Sequence, residues 1–263
     1  VNIENVYHEL VNPANPVNPV NPVKKSLSYT PFEGICLTDT FALYEKDGAF
    51  ETNDFQQNSA RVQKQRKSPI RIVIGNPPYN VEANGQSYPK LEEAIARTYA
   101  KRTKATLKMQ LYDSYIKAFR WATDRLEGGK GIVAFISNAG WLDASAMDGF
   151  RATLQDEFDS IYVFNLRGNC RTSGELRKKE AGNVFGLGSR TPIAITLLVR
   201  TGDKINSDKA EGFANASPKR NVSGASDQSE FKKSPARIYY RDIGDYLSRE
   251  KKLEIVREMR SML

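Results

Sequence analysis

Apolar positions along this chain follow two rhythms. Leu111, Tyr115, Ile116, Phe119, Thr123 and Leu126 recur three and four residues apart, which predicts a helix over 111–126 with one apolar face, ended by Gly128 and Gly129. Elsewhere the apolar residues are contiguous and β-branched. Ile72, Val73 and Ile74 read as a short buried strand, and so do the runs 131–136 (GIVAFI), 160–166 (SIYVFNL) and 193–199 (IAITLLV). A further helix fits 145–157. Residues 34–41 (GICLTDTF) read as a buried strand that ends in an acidic loop, with Cys36 as a core residue.

The stretches between these elements are polar. Residues 1–10 carry Ile3, Val6, Tyr7 and Leu10 at helical spacing, with His8 a surface residue of that helix. Residues 11–23 repeat Asn-Pro-Val, and Pro at that density excludes helix and central strand in favour of an extended loop. Arg61, Lys64, Arg66 and Lys67 form a basic loop ahead of the 72–74 strand. Residues 80–110 read as an insertion, helical over 91–98, with Arg97, Lys101, Arg102, Lys104 and Lys108 making a positive face. The poorly apolar segment 201–235 reads as a mobile linker, followed by a short edge strand at 236–240 and a charged helix over 249–262.

A length of 263 residues fits one large domain or two small ones. The net charge of +8 suits an anionic partner. Two cysteines and one histidine exclude a zinc site of the usual kind, a disulfide framework and a Ser-His-Asp triad. No GxxxxGK[ST] loop occurs, so ATP chemistry is not expected of these residues. No apolar run is long enough to span a bilayer. The expectation is a cytoplasmic protein with no membrane partner and no metal, and, since the chain opens on Val, a piece of a longer one.

The chemistry concentrates after the 72–74 strand, at Gly75-Asn76-Pro77-Pro78-Tyr79. Two prolines fix the backbone and remove N–H donors, so the loop presents carbonyl acceptors in a rigid frame. Asn76 adds an amide oxygen and Tyr79 a flat π face. Together they suit a planar amine, whose two N–H groups need acceptors and whose ring can stack.

This loop resembles the Asn/Asp-Pro-Pro-Tyr motif of amino-methyltransferases that use S-adenosylmethionine. The runs TPFEGICLTDTF, LYDSYIKAFRWATDRL, NAGWLD, VFNLRGNCRTSGE and FGLGSRTPIAI are similar to the methylase region of bacterial single-polypeptide restriction–modification enzymes. The resemblance implies N6-adenine methylation of double-stranded DNA with the target adenine flipped out. Asn76 and Pro77 would accept from its amine, and Tyr79 and Phe185 would stack on it. It also implies cofactor contacts from Asp39, Phe41 and Tyr115, although Thr40 intervenes where the family places an aromatic directly after the Asp. The implied fold is α/β, a doubly wound Rossmann-like sheet lacking its first two strands, because the family's Gly-rich cofactor loop is not found upstream of Asp39. Residues 1–200 would then be a partial catalytic core. A nuclease and ATPase would precede it in the parent enzyme, and a recognition domain would follow 236–263. Such a fragment is expected to be inactive alone. Two alternatives remain at this point: methylation of a protein glutamine amide, which uses the same loop, and a non-catalytic DNA-binding or assembly fragment.

Overall fold

A computed structural model describes residues 34–45, 56–79, 87–186, 189–202 and 234–259. The expected helix over 1–10 with His8, the repeat over 11–23 and nearly all of the 201–235 linker lie outside the described residues. In chain order the elements are α1 (Ala42–Glu45), α2 (Gln56–Lys67), β1 (Ile72–Gly75), α3 (Pro89–Ile95, continued by a π turn over Ala96–Ala100), α4 (Ser114–Arg125), β2 (Gly131–Asn138), α5 (Asp148–Glu157), β3 (Ser160–Arg167), α6 (Gly174–Glu180), β4 (Ile193–Arg200), β5 (Arg237–Asp242) and α7 (Arg249–Glu258). The chain divides into two compact units, Val1–Ser68 and Pro69–Leu263.

Within the first unit, the expected strand at 34–41 does not form, and its residues are not buried as a strand core would be: Leu37 is 78% exposed. The reason lies in hydrogen bonding. A strand needs a neighbouring backbone, whereas here the Asn58 side chain satisfies Leu37 at both groups, accepting from its N–H and donating to its C=O, each at 2.8 Å. The basic run at 61–67 is helical in α2 rather than a loop, and Lys64, Arg66 and Lys67 fall in its last turn, where positive charge favours the helix dipole.

The second unit holds one five-stranded sheet in the order β1-β2-β4-β3-β5. β1 runs parallel to β2, β4 runs antiparallel to both β2 and β3, and β5 lies parallel to β3 at the edge. Registered pairs share a face, so Phe135 with Thr196, Val133 with Leu198 and Ile161 with Leu198 lie on one side. Helices α4 and α5 cover it: Phe119 meets Phe135 at 5.0 Å and Phe150 at 5.4 Å, with Trp141 5.5 Å from Phe150. On the other side, Phe164 and Ile193 pack with Leu253, Ile255 and Val256 of α7. Helices thus clothe one face and the β3–β4 part of the other, whereas Ile72 and Ile74 of β1 are exposed, so the strand expected to be buried at 72–74 is covered on one face only. The insertion after β1 joins this packing. A Cβ on Gly149 of α5 would come within 2.1 Å of the Tyr99 carbonyl, so only glycine permits that approach.

One polar group ties three helices together. Arg120 of α4 donates from Nη1 to both carboxylate oxygens of Glu157 at the end of α5 (3.0 and 3.1 Å), pairs through Nε and Nη2 with Asp124 one turn on, and lies over the Tyr99 ring at 5.5 Å. Helix α6 forms in the polar stretch between β3 and β4, where the apolar pattern marks no element. It has no buried residue, hence no apolar stripe to betray it, and it is favoured by Glu175 in its first turn and Arg177, Lys178 and Lys179 in its last.

Candidate active site

Because β1 and β2 run parallel while β4 runs against β2, the loop before β4 returns to the end of the sheet where β1 and β2 finish. That end is where open α/β sheets bind ligands. Three aromatic side chains meet there. Tyr79, four residues beyond Gly75, has its ring 6.5 Å from Phe185, tilted by 46°, and 6.5 Å from Tyr115, edge-on at 86°. Tyr115 comes from the first turn of α4 and is buried, whereas Phe185 is largely exposed. Asn76 is exposed beside Tyr79, and Pro77 is buried between them.

The Tyr79 hydroxyl donates to Asn76 Oδ1 at 2.8 Å and lies 3.3 Å from the Ile136 carbonyl of β2. This bond uses one lone pair of the amide oxygen and leaves the second for an incoming N–H. A flat ring between two others needs about two van der Waals contacts, roughly 7 Å in all. Tyr79 and Phe185, 6.5 Å apart and inclined at 46°, fall just short of that spacing and touch as a tilted pair.

Burial raises the pKa of several groups here, holding them neutral. The Tyr79 phenol is pushed up to about 12 by desolvation. Tyr115 is raised further, by burial first and then by the Asp113 carboxylate next to it. Asp113, just before α4, is itself raised by burial, against the backbone hydrogen bonds of Ser114 and Tyr115 and the weaker pull of Lys117 and Arg171, and its Oδ1 is buried with no hydrogen-bond partner among the described residues. The Tyr79 shift has a testable sign. Its ordinary pKa is about 10, so between pH 10 and 12 the folded chain binds more protons at Tyr79 than the unfolded chain does. The stability this contributes is complete below pH 10 and is lost as pH rises through 12. Tyr79→Phe should flatten the alkaline fall of the urea midpoint in that window. Equal slopes for both proteins would show that Tyr79 is not held neutral by the fold.

Of the residues singled out by sequence, the structure brings together Asn76, Pro77, Tyr79, Tyr115 and Phe185. Asp39 and Phe41 belong to the unit Val1–Ser68. There Asp39 Oδ1 accepts from the N–H groups of Phe41 (2.9 Å) and Ala42 (3.2 Å), which starts α1. Sequence reasoning missed Asn183, a buried amide that holds the Phe185 loop. Its position two residues before an aromatic in a Gly-flanked loop, an Asx-turn pattern, was the available signal. Among the described residues no cluster of His, Cys, Asp and Glu is placed to hold a metal ion, and no helix is long and apolar enough to cross a membrane.

Residues 23–169 match the family described as Eco57I restriction-modification methylase. No curated protein matches the chain. Among solved structures, a nuclease-deletion mutant of the Type ISP restriction-modification enzyme LlaGI, in complex with a DNA substrate mimic, is 36% identical with a TM-score of 0.74, over 97% of this chain and 18% of that one. The ATP-dependent Type ISP enzyme LlaBIII bound to DNA is 33% identical, TM-score 0.72, over 87% and 14%. A cryo-EM complex of DrdV with DNA is 32% identical, TM-score 0.71, over 88% and 20%. The chain thus spans only 14–20% of the length of these relatives.

Proposed function

Since the chain belongs to the Eco57I restriction-modification methylase family, we propose that it is the methyl-transfer region of a longer restriction–modification enzyme acting on adenine N6 in double-stranded DNA. The observation that carries this reading is the Asn76 oxygen, with a lone pair left over, beside the aromatic rings of Tyr79 and Phe185. A base inside a duplex cannot reach such a slot, so the adenine is flipped out of its stack. Asn76 Oδ1 and the Pro77 carbonyl accept from its amine while Tyr79 and Phe185 hold the ring. The amine is a weak nucleophile because its lone pair is delocalised into the ring, and two acceptors draw that nitrogen towards tetrahedral geometry. No side-chain base is needed at this step, which agrees with a loop whose one ionisable group, Tyr79, stays neutral to about pH 12.

S-adenosylmethionine supplies a methyl group on a sulfonium, ready for in-line displacement. The residues at the site fit its adenine end: Tyr115 offers a buried aromatic wall next to the base slot. By family resemblance Asp39 and Phe41 are further candidates for cofactor contact. Ile72 and Ile74 of β1, 60% and 78% exposed, agree with further chain covering this edge of the sheet. Nuclease, ATPase and recognition domains would be the remaining partners.

Tritium transfer from methyl-labelled cofactor to adenine-unmethylated genomic DNA, followed by nucleoside digestion, tests the reading. Label in N6-methyladenosine is expected with the full-length enzyme; label in cytosine or only in a glutamine-bearing protein substrate would overturn it. Residues 1–263 alone should bind the cofactor more weakly than about 100 μM in calorimetric titration, since a grip on the adenine end forgoes most of the contacts. Micromolar, stoichiometric binding would show that the cofactor site has been misplaced.

A further inference from the structure

Phe185 presents a problem that its own packing does not solve. The ring is 45% exposed, so burial does not hold it at 6.5 Å from Tyr79. Its backbone is held instead. Asn183, 6% exposed, accepts from the Phe185 N–H at 3.0 Å through Oδ1. Its Nδ2 donates to the Gly168 carbonyl (3.0 Å), just past the end of β3, and to the Thr191 carbonyl (2.8 Å), just before β4. One side-chain amide therefore joins both strand ends to the aromatic loop, with both of its N–H groups used. Its backbone carbonyl also accepts from Gly186 N–H at 3.0 Å, which closes a turn around Phe185.

The ground under this clamp is itself fixed. Gly168 has φ +90°, and a Cβ there would stand 3.0 Å from Asn183 Cα and 3.1 Å from Nδ2. Arg167 sits in the left-handed region at φ +56°, held by Asp242 at 2.7 Å and Asp245 at 2.6 Å. A ring that must be exposed to receive a base, on a backbone fixed from a buried side chain, is a preorganised binding element.

We propose that Asn183 is a positioning residue for base capture, acting through Phe185. This rests on reading Phe185 as a base-stacking group, and the test separates the two ideas. Methyl transfer to adenine-unmethylated genomic DNA is measured in the full-length enzyme for Asn183→Ala, Phe185→Ala and the double variant. Loss of one stacking ring should lower kcat/KM for DNA by about ten- to a hundredfold. Asn183→Ala should fall in the same range. The double variant should lie within about threefold of Phe185→Ala, because a clamp has nothing to hold once the ring is gone. Cofactor affinity should be unchanged throughout.

If the losses multiply in the double variant, or cofactor affinity falls with them, Asn183 is a general structural residue and the proposal is overturned. Normal activity of Asn183→Ala beside a damaged Phe185→Ala overturns it while leaving the stacking role intact. Normal activity of Phe185→Ala overturns the stacking role and the proposal together. Should Asn183→Ala fail to fold, Asn183→Ser replaces it. Serine can still accept from the Phe185 N–H two residues on but reaches neither strand end. The same non-additivity with Phe185→Ala is then expected, and a multiplicative loss overturns the proposal as before.

Discussion

Replacing Asn76 with Ala in the full-length enzyme should lower methyl transfer by on the order of a hundredfold or more, the usual consequence of losing a polar group aimed at the reacting atom. The bound amine would be left with one N–H facing no acceptor, in a site from which water is displaced. Stability should barely change, because Asn76 is exposed and its one observed partner is the Tyr79 hydroxyl. That hydrogen bond creates a second route for the loss: without it, the Tyr79 ring could turn. Tyr79→Phe separates the routes, since it removes the same bond but keeps the ring and the amide. It should cost less than about tenfold, roughly one hydrogen bond. Asn76→Asp keeps an acceptor and should retain more activity than Ala. Tritium incorporation decides: near-native turnover by Asn76→Ala would remove the residue from the mechanism, and equal losses for Asn76→Ala and Tyr79→Phe would reduce it to a support for the ring.

The sequence exposed this arrangement unevenly, for physical reasons. β3 and β4 were readable because strands packed on both faces become near-continuous apolar runs, β1 and β2 because their β-branched residues are contiguous although Ile72, Ile74 and Ile136 are exposed, and α4 because its stripe is regular. Asn76, Pro77 and Tyr79 were readable because a motif fixes them within four residues. Phe185 and Tyr115 were harder, since only family resemblance linked them to Tyr79. What brings Phe185 to Tyr79 is the reversed direction of β4, which no local pattern in 193–200 announces. The misreading at 34–41 shows the converse limit. Ile35, Cys36 and Leu37 have strand propensity, yet a strand is a relation between two backbones, and Asn58 took the partner's place. Helix α6 and the Asn183 clamp were invisible for a shared reason. Both are built from polar residues whose role depends on which carbonyl or charge they meet, and hydrophobic periodicity does not encode that.

Arg120→Met should destabilise the second unit by about 3–5 kcal/mol, the range found when one partner of a buried ion pair is removed. That is a large share of the roughly 5–15 kcal/mol that holds an ordinary domain folded. The guanidinium side chain is 3% exposed and answers two carboxylates, Asp124 at 26% and Glu157 at 14% side-chain exposure. Methionine fills much of its volume, so the loss should come mainly from leaving those two negative charges facing each other with little water. Arg200 does not replace it, because its Nε donates to the Glu157 main-chain carbonyl at 2.7 Å. Urea unfolding is expected to show a lower midpoint at unchanged slope. Adding Asp124→Asn and Glu157→Gln to Arg120→Met should recover much of the loss if uncompensated charge is the cause, and none of it if the cause is the lost contact with Tyr99. A single-variant loss below about 1 kcal/mol would place this cluster among ordinary surface pairs. The consequence for the site follows from helix geometry. Tyr115 lies five residues before Arg120 on α4, so the network that fixes α4 against α5 and the π turn after α3 also fixes the wall of the base slot. Well below its unfolding transition, Arg120→Met should therefore raise the KM for S-adenosylmethionine, which on the proposed reading packs against that wall, more than it lowers kcat.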